Sequence, residues 1–389
     1  MRIGLFADTF MPQINGVATS VMTLKEYLER LGNEVFIFTT TDPHAPKNEE
    51  RVFRLPSMRF LSERRVGLFY HPMVARTVKA LGLDIIHTHT EFSMGIFGRG
   101  MARALGIPQI HTMHTKYEDY THYIVKFNML DPVAKSVARR LSMSFCNNAS
   151  GVIAPTNKVR DMLIEYGVNK SIYTIPTGIE MDKFDRYSND GIADIRKEIG
   201  LREDDKVILY VGRISEEKNI NEVFTSLKDY LPKRDNVKIV LVGDGPERSN
   251  LEHLAKKLDI GGQVVFAGEK PWEDIERYYQ LGDLFVSASQ SETQGLTYIE
   301  ALASGVPVVA KKDPCLNDII FNGVNGYQFE GRDDIIGCVD RVLFSEGHRE
   351  SLSEGAKRTS HAFSAEHFAQ SVESCYNDLL FKPSAVYAC

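Results

Sequence analysis

Short apolar runs alternate with amphipathic helical stretches along nearly the whole chain, and they do so in two separate series. In the first, RIGLFA precedes VATSVMTLKEYLERLG, which closes at Gly32, and EVFIFTT follows; DIIHTHT, GIFGRGMARALG and PQIHTMHT repeat the unit, and GVIAPT leads into NKVRDMLIEYG. In the second, VILYVG, VKIVLVG, VVFAG, LFVSAS and PVVA are each followed by a helical stretch, INEVFTSLKDYL and RSNLEHLAKKL being the first two. Strands separated by helices of ~10–15 residues form parallel sheets covered on both faces. From Ile179 to about Asp205 the pattern is interrupted by a polar connector that carries Gly191 and Gly200 and one short helical stretch. A chain of 389 residues also exceeds what one core of this kind usually holds. The expected class is therefore α/β, with two doubly wound Rossmann-like domains over residues 1–178 and 179–364. Their ligand crevices should lie beyond the carboxyl ends of the strands, which places a cleft between facing domains. The final helix, about Ala365–Phe381, has no strand after it, and residues 365–389 are expected to pack back on the N-terminal domain.

Composition removes several function classes. Apolar content of 43% and charged content of 25% are those of a soluble globular protein. The five cysteines (Cys146, Cys315, Cys338, Cys375, Cys389) are scattered and form no CxxC pair, which points to a reducing compartment and away from a structural zinc site. The N-terminus reaches Asp8 too early for a signal peptide, and no run approaches the ~20 apolar residues that span a bilayer. The expected location is cytoplasmic, with any membrane contact peripheral, and no nucleic-acid partner is expected. Net charge is divided unevenly: residues 1–180 hold 21 Lys+Arg against 16 Asp+Glu, while 181–389 hold 25 against 36. Such a split either marks the first half as the partner-facing side or reflects chance and solubility.

The chemistry-bearing residues cluster at strand ends. A dinucleotide-binding enzyme would show GxGxxG after its first strand. ADTFMPQINGVAT has one glycine, Gly16, which argues against hydride transfer and leaves either a plain loop glycine or a close anionic approach to a helix start. VGRISEEKNI places Arg213 and Lys218 just past a strand, where two cations either neutralise a diphosphate or belong to a solvated mixed-charge loop with Glu216 and Glu217. SETQGLTYIEALASGVPVV sets Glu292 before a helix and Glu300 about one turn into it, with seven residues between them. A helix starting near Leu296 would aim free N–H groups at the crevice, and Gly295 gives room for an anion to approach. The two glutamates either accept from ligand hydroxyls or serve as cap and surface acids. His87, His89 and His111, near strand ends, read as structural histidines.

Taken together, SETQGLTYIEALASGVPVV resembles the E-x7-E signature of retaining glycosyltransferases of the GT-B fold, family 4, and GRISEEKN resembles their Arg/Lys diphosphate loop. LVGDGPE, IPTGIEMDKF, HTHTEFSMG and HTMHTKYEDY are similar to further family segments, so the resemblance spans nearly the whole chain. It implies that Arg213 and Lys218 hold the diphosphate, Glu292 contacts the donor sugar, and Glu300 the ribose hydroxyls. It also implies that the backbone at Gly295, Leu296 and Thr297 serves the phosphate end, that Gly16 lets the N-terminal domain approach the diphosphate, and that His114 meets the sugar. The implied donor is a UDP-sugar, most simply UDP-glucose; no protein-bound metal is expected, and a Mg²⁺ effect stays open.

Within the family, FADTFMPQINGVATSV, HTKYEDYTHYI and SETQGLTYIEALASG are similar to the bacterial 1,2-diacylglycerol 3-glucosyltransferases. That implies transfer of glucose to the 3-hydroxyl of diacylglycerol, peripherally on the inner face of the cell membrane. Two alternatives stand beside it: a soluble or polyprenyl-linked acceptor, and a membrane-surface binding protein without turnover. A lipid acceptor calls for a membrane face. One candidate is RLPSMRFLSERRVGLFY, with Arg54, Arg59, Arg64 and Arg65 among Met58, Phe60, Leu61, Leu68, Phe69 and Tyr70. The other is a helix from Asp131–Pro132 whose apolar line runs Val133, Val137, Leu141 and on to Phe145, with Lys135, Arg139 and Arg140 on other faces. That line either meets anionic lipid or packs on the core.

Overall fold

The computed structural model describes residues 1–13, 15–61, 64–116, 118, 131–185, 191–345 and 347–381. The chain divides into two compact units, Met1–Gly178 with Ala365–Cys389, and Ile179–Ser364.

The first unit carries β1 (Arg2–Phe6), β2 (Glu34–Thr40), β3 (Val52–Leu55), β4 (Ser57–Leu61), β5 (Arg64–Gly67), β6 (Ile85–Thr88), β7 (Gln109–Thr112), β8 (Gly151–Ala154) and β9 (Ile172–Thr174). Its helices here are α1 (Gly16–Arg30), α2 (Pro72–Leu81), α3 (Ser93–Leu105), α4 (Asp131–Asn147) and α5 (Asn157–Glu165). Seven strands form a sheet in the order β3-β2-β1-β6-β7-β8-β9, and its pairings are parallel. Alternate residues supply alternate faces: Ile3, Leu5, Val35 and Ile37 pack toward α1, while Phe6, Phe36 and Phe38 pack with residues of α2 and α3. The strands therefore read as continuous apolar runs, as doubly covered strands do. Among the described residues β4 and β5 pair with each other, antiparallel, as a sheet of two strands. Neither this pair nor α2 was legible in the sequence, where the stretch reads as a basic-apolar patch.

The second unit carries α6 (Met181–Asp185), α7 (Ile192–Glu198), β10 (Lys206–Val211), α8 (Ile220–Leu227), β11 (Val237–Val242), α9 (Arg248–Lys257), β12 (Val264–Gly268), α10 (Ile275–Tyr279) and β13 (Leu284–Ser287). It continues with α11 (Leu296–Ala303), β14 (Val308–Lys311), β15 (Gly326–Phe329), α12 (Arg332–Phe344) and α13 (His348–Ser360). Its six strands run parallel in the order β12-β11-β10-β13-β14-β15. The stretch expected as a connector is part of this unit: Ile179, Phe184, Ile195 and Leu201 are buried in its core, and it holds two helices, α6 and α7, rather than one. Its apolar residues are too widely spaced to announce themselves as an element, yet each finds a core position.

The last helix, α14 (Ala365–Phe381), belongs to the first unit. It buries Phe368, Ala369, Val372 and Tyr376 in the cluster that also holds Val21, Leu24 and Leu28 of α1. Asn33 adds a hydrogen bond of 2.6 Å to Glu373.

Candidate active site

In the second unit the strand order reverses between β10 and β13, so the loops after these strands emerge side by side at the switch point where ligands of doubly wound sheets bind. The loop after β10 carries Arg213, exposed, and a single 3₁₀ turn over Glu216–Lys218. Tyr210 donates to the Arg213 carbonyl at 2.9 Å and steadies the loop. Glycines make the neighbouring loop fit against it. A Cβ on Gly243, whose φ is 136°, would lie 2.0 Å from the Gly212 carbonyl oxygen. The backbones instead bond directly, Gly212 N to Val242 O at 2.9 Å and Ile214 N to Asp244 O at 2.9 Å. LVGDGPE thus buttresses the Arg213 loop.

The loop after β13 supplies Glu292. Its carboxylate accepts from Lys218 Nζ at 2.5 Å and from Ser289 Oγ at 2.9 Å. Both charged groups are mostly covered, the Lys218 side chain 22% exposed and Glu292 16%. Two residues from different loops are therefore fixed as one ion pair. α11 starts at Leu296 directly after Gly295, whose φ of 77° and whose 2.3 Å clearance from the Tyr298 ring leave no room for a side chain. Gly295, at the N-cap, brings no capping side chain, and no acid sits in the first turn, so the positive end of the helix dipole faces the loop that carries Glu292. The backbone at Gly295, Leu296 and Thr297 forms that start.

Glu300 lies deeper than a residue on a crevice wall: it is 4% exposed and accepts from Tyr279 OH at 2.5 Å. Burial pushes its carboxyl up to about 7, against the opposing pull of the Tyr279 bond and the Lys183 ammonium. Lys183 itself reaches the Trp272 carbonyl and lies 3.9 Å over the Trp272 ring. Tyr279, Ser289 and Lys183 had no role in the sequence reading; Tyr279 sits in a helical stretch where an aromatic looks like ordinary core.

In the first unit Gly16 is the first residue of α1. Asn15 caps this helix through a 3.0 Å bond from Ala18 N, so one of its starting N–H groups is already taken. The corresponding switch point lies between β1 and β6. There Asp8 is buried and accepts from Thr90 Oγ1 at 2.5 Å, from Met94 N at 3.0 Å and from Ser93 Oγ. Burial raises its carboxyl above the usual range. His87 holds Tyr376 OH and Thr112 Oγ1, each at 2.6 Å, and His111 holds Thr88 Oγ1 at 3.0 Å. His114 stacks on His89 with centroids 5.3 Å apart.

The two stretches expected to face a membrane divide. On α4, Val133, Val137 and Leu141 are 61%, 50% and 65% exposed, so this line does not pack on the core. Phe145 departs from it: it is buried beside the His111 ring at 4.7 Å, because the last turns of α4 enter the core. Lys135, Arg139 and Arg140 are exposed. In the earlier stretch Met58, Leu68, Phe69 and Tyr70 are exposed, joined by Met73 at the start of α2. Arg54 is not part of that surface: it is 12% exposed, paired with Glu49 at 2.5 Å and bonded to the Thr40 and Met11 carbonyls. Residues 62–63 and most of 117–130, including the tyrosine-rich run, lie outside the described residues. Among the described residues no helix is long and apolar enough to cross a membrane, and no group of three or more His, Cys, Asp or Glu is placed to hold a metal.

Residues 14–183 match the family described as Glycosyltransferase Family 4, and 191–359 match Glycosyl transferases group 1. The alpha-monoglucosyldiacylglycerol synthase of Streptococcus pneumoniae is 42% identical over 98% of this chain and 86% of its own. The chain belongs to the family 4 glycosyltransferases. A second relative of the glycosyltransferase, the alpha-monoglucosyldiacylglycerol synthase of Acholeplasma laidlawii, is 33% identical over 98% of both chains. Among solved structures, Anabaena HepE in complex with UDP superposes with a TM-score of 0.77 over 97% of this chain and all of its own, at 19% identity. The fold of the glycosyltransferase is GT-B, as the motifs implied.

Proposed function

We propose that this glycosyltransferase moves glucose from UDP-glucose to the 3-hydroxyl of 1,2-diacylglycerol, with retention of configuration, at an anionic membrane surface on the cytoplasmic side. The observation that carries this reading is the 42% identity, over nearly the whole chain, to a protein named for making a monoglucosyl diacylglycerol. The UDP and UDP-glucose complexes of HepE support the donor class.

Breaking the bond between the anomeric carbon and the diphosphate develops positive charge on the sugar and negative charge on UDP. Arg213, Lys218 and the open start of α11 are the positive groups of the second unit's switch point, and preorganised charge of this kind supplies the largest share of many rate enhancements. Lys218 is held by Glu292, so a diphosphate oxygen competes with that carboxylate for the ammonium; Glu292 then turns its freed acceptor capacity to a sugar hydroxyl. Glu300 accepts from the ribose hydroxyls on the oxygen not used by Tyr279. Gly16 and His114 take the roles that the family gives them, diphosphate approach and sugar contact. The acceptor hydroxyl attacks from the face that the leaving group vacates, and its proton passes to the departing phosphate oxygen, so no further base is needed. The bare apolar line of α4, with its basic neighbours, supports docking on anionic lipid.

The test is transfer from radiolabelled UDP-glucose and UDP-galactose to detergent-dispersed diacylglycerol, read by thin-layer chromatography. A glucosyl lipid is expected, cleaved by an α-glucosidase. Label appearing only on soluble or polyprenyl acceptors overturns the reading.

A further inference from the structure

Histidines 87, 89, 111 and 114 gather at the carboxyl ends of β6 and β7, and one hydrogen bond among them has a direction. His89 Nδ1 and His114 Nε2 are 3.0 Å apart, so a single proton lies between them and one ring donates to the other. Neither ring is charged near neutral pH: burial, then the neighbouring imidazoles, hold His114 at about 3 and His89 well below its ordinary range. Each ring thus carries one N–H, and the position of one fixes the other.

His89 Nε2 decides between the two arrangements. His89 is 2% exposed, and this nitrogen has no hydrogen-bond partner among the described residues. If it carried the proton, a buried N–H would be stranded. Buried N–H groups without a partner are rarer in folded proteins than under-used acceptors, and the desolvation of such a group is not recovered. The proton of His89 therefore belongs on Nδ1. The ring has little freedom to turn over, since the His87 ring packs against it at 4.0 Å and is itself tied down at both nitrogens.

We propose that His89 is a positioning residue that fixes the tautomer of His114: it donates from Nδ1–H to His114 Nε2, so His114 keeps its proton on Nδ1 and offers that N–H to the donor sugar. The last step rests on the reading above in which His114 meets the sugar. The sugar oxygen then meets a hydrogen-bond donor of fixed position, and the nitrogen nearer His89 is closed to it.

Histidine-selective ¹⁵N labelling of the full chain and long-range ¹H–¹⁵N correlation test this, with the His114 signals assigned by their loss in His114→Asn. The expected spectrum has both His89 and His114 protonated on Nδ1. His89→Leu should let the proton of His114 move to Nε2. His89→Asn, whose amide can donate at the same place, should keep it on Nδ1. Turnover should fall about tenfold in His89→Leu and stay within about threefold of wild type in His89→Asn. A wild-type spectrum with His114 protonated on Nε2 overturns the proposal, and that result needs no variant to fold. So does an unchanged His114 tautomer in a folded His89→Leu. If the tautomers are as stated and His114→Ala still transfers at the wild-type rate, the sugar contact fails and the His89–His114 assignment stands.

Discussion

Lys218 lies against Glu292 at 2.5 Å, and this pair, with Ser291 Oγ donating to the Glu217 carbonyl at 3.4 Å, ties the loop after β10 to the loop after β13. Replacing Lys218 by Ala should lower transfer by about 10²–10³, the cost of one charge-assisted donor at a developing anion. Ser289 keeps its bond to Glu292, so the thermal midpoint should move by only a few degrees; initial rates and calorimetry together check both outcomes. Glu300 gives a different signature. Its folded carboxyl titrates near 7 against an ordinary 4.5, so the native state holds a proton that the unfolded chain has released. Stability is therefore greatest below about 4.5 for this group and falls as pH rises to about 7, by about 3 kcal/mol. Urea unfolding of wild type and Glu300→Gln across that window should show the fall in the first and a flatter profile in the second. Equal slopes would remove the buried carboxyl from the account.

At the scale of elements, α11 and α4 answer to different constraints. Gly295 must hold a φ of 77° and must leave the Tyr298 ring in place. Gly295→Ala should destabilise the protein by roughly 1–3 kcal/mol and weaken UDP binding in the same variant, because the helix start moves with it. Thermal unfolding and titration calorimetry would read the two effects. α4 should behave in the opposite way. Val137 and Leu141 are half exposed or more, so Val137→Asp with Leu141→Asp should leave the thermal midpoint nearly unchanged. Sedimentation with phosphatidylglycerol vesicles should drop sharply, and equal binding to neutral vesicles at low salt would argue against anionic docking. The sequence disclosed the periodicity of α4 but not its orientation. Val133, Val137, Leu141 and Phe145 share one spacing, and only packing separates the three that face outward from the one that is buried.

For the whole molecule, the parallel sheets were legible because doubly covered strands are written as unbroken apolar runs. Arg213, Lys218, Glu292 and Gly295 were singled out by the resemblance of their segments to family motifs, since each residue taken alone also fits a solvated loop or a helix cap; the structure brings Lys218 against Glu292. Tyr279, Ser289 and Lys183 were not, since their residue types carry no mark and only folding brings them to the glutamates. Arg54 misled for the converse reason: a guanidinium in a basic stretch looks solvated until Glu49 and two carbonyls surround it. α14 was legible as a helix, and it packs into the same core cluster as α1 in the first unit. A chain ending at Ser364 would uncover the α1 face that Phe368, Val372 and Tyr376 bury, and it should be recovered mainly as aggregate. Full-length yield of soluble protein from such a truncation would contradict that packing.

Ile179 and Ser364 are bridged in parallel, and Ile179 N bonds Phe363 O at 2.9 Å. The polypeptide thus enters and leaves its second unit through one doorway, which makes 179–364 an insert carried within an otherwise continuous host. Residues 178 and 365 should accept direct splicing through a short glycine-serine bridge. The host so made, and the excised insert, are each expected to fold alone, so the two units can be studied on separate proteins.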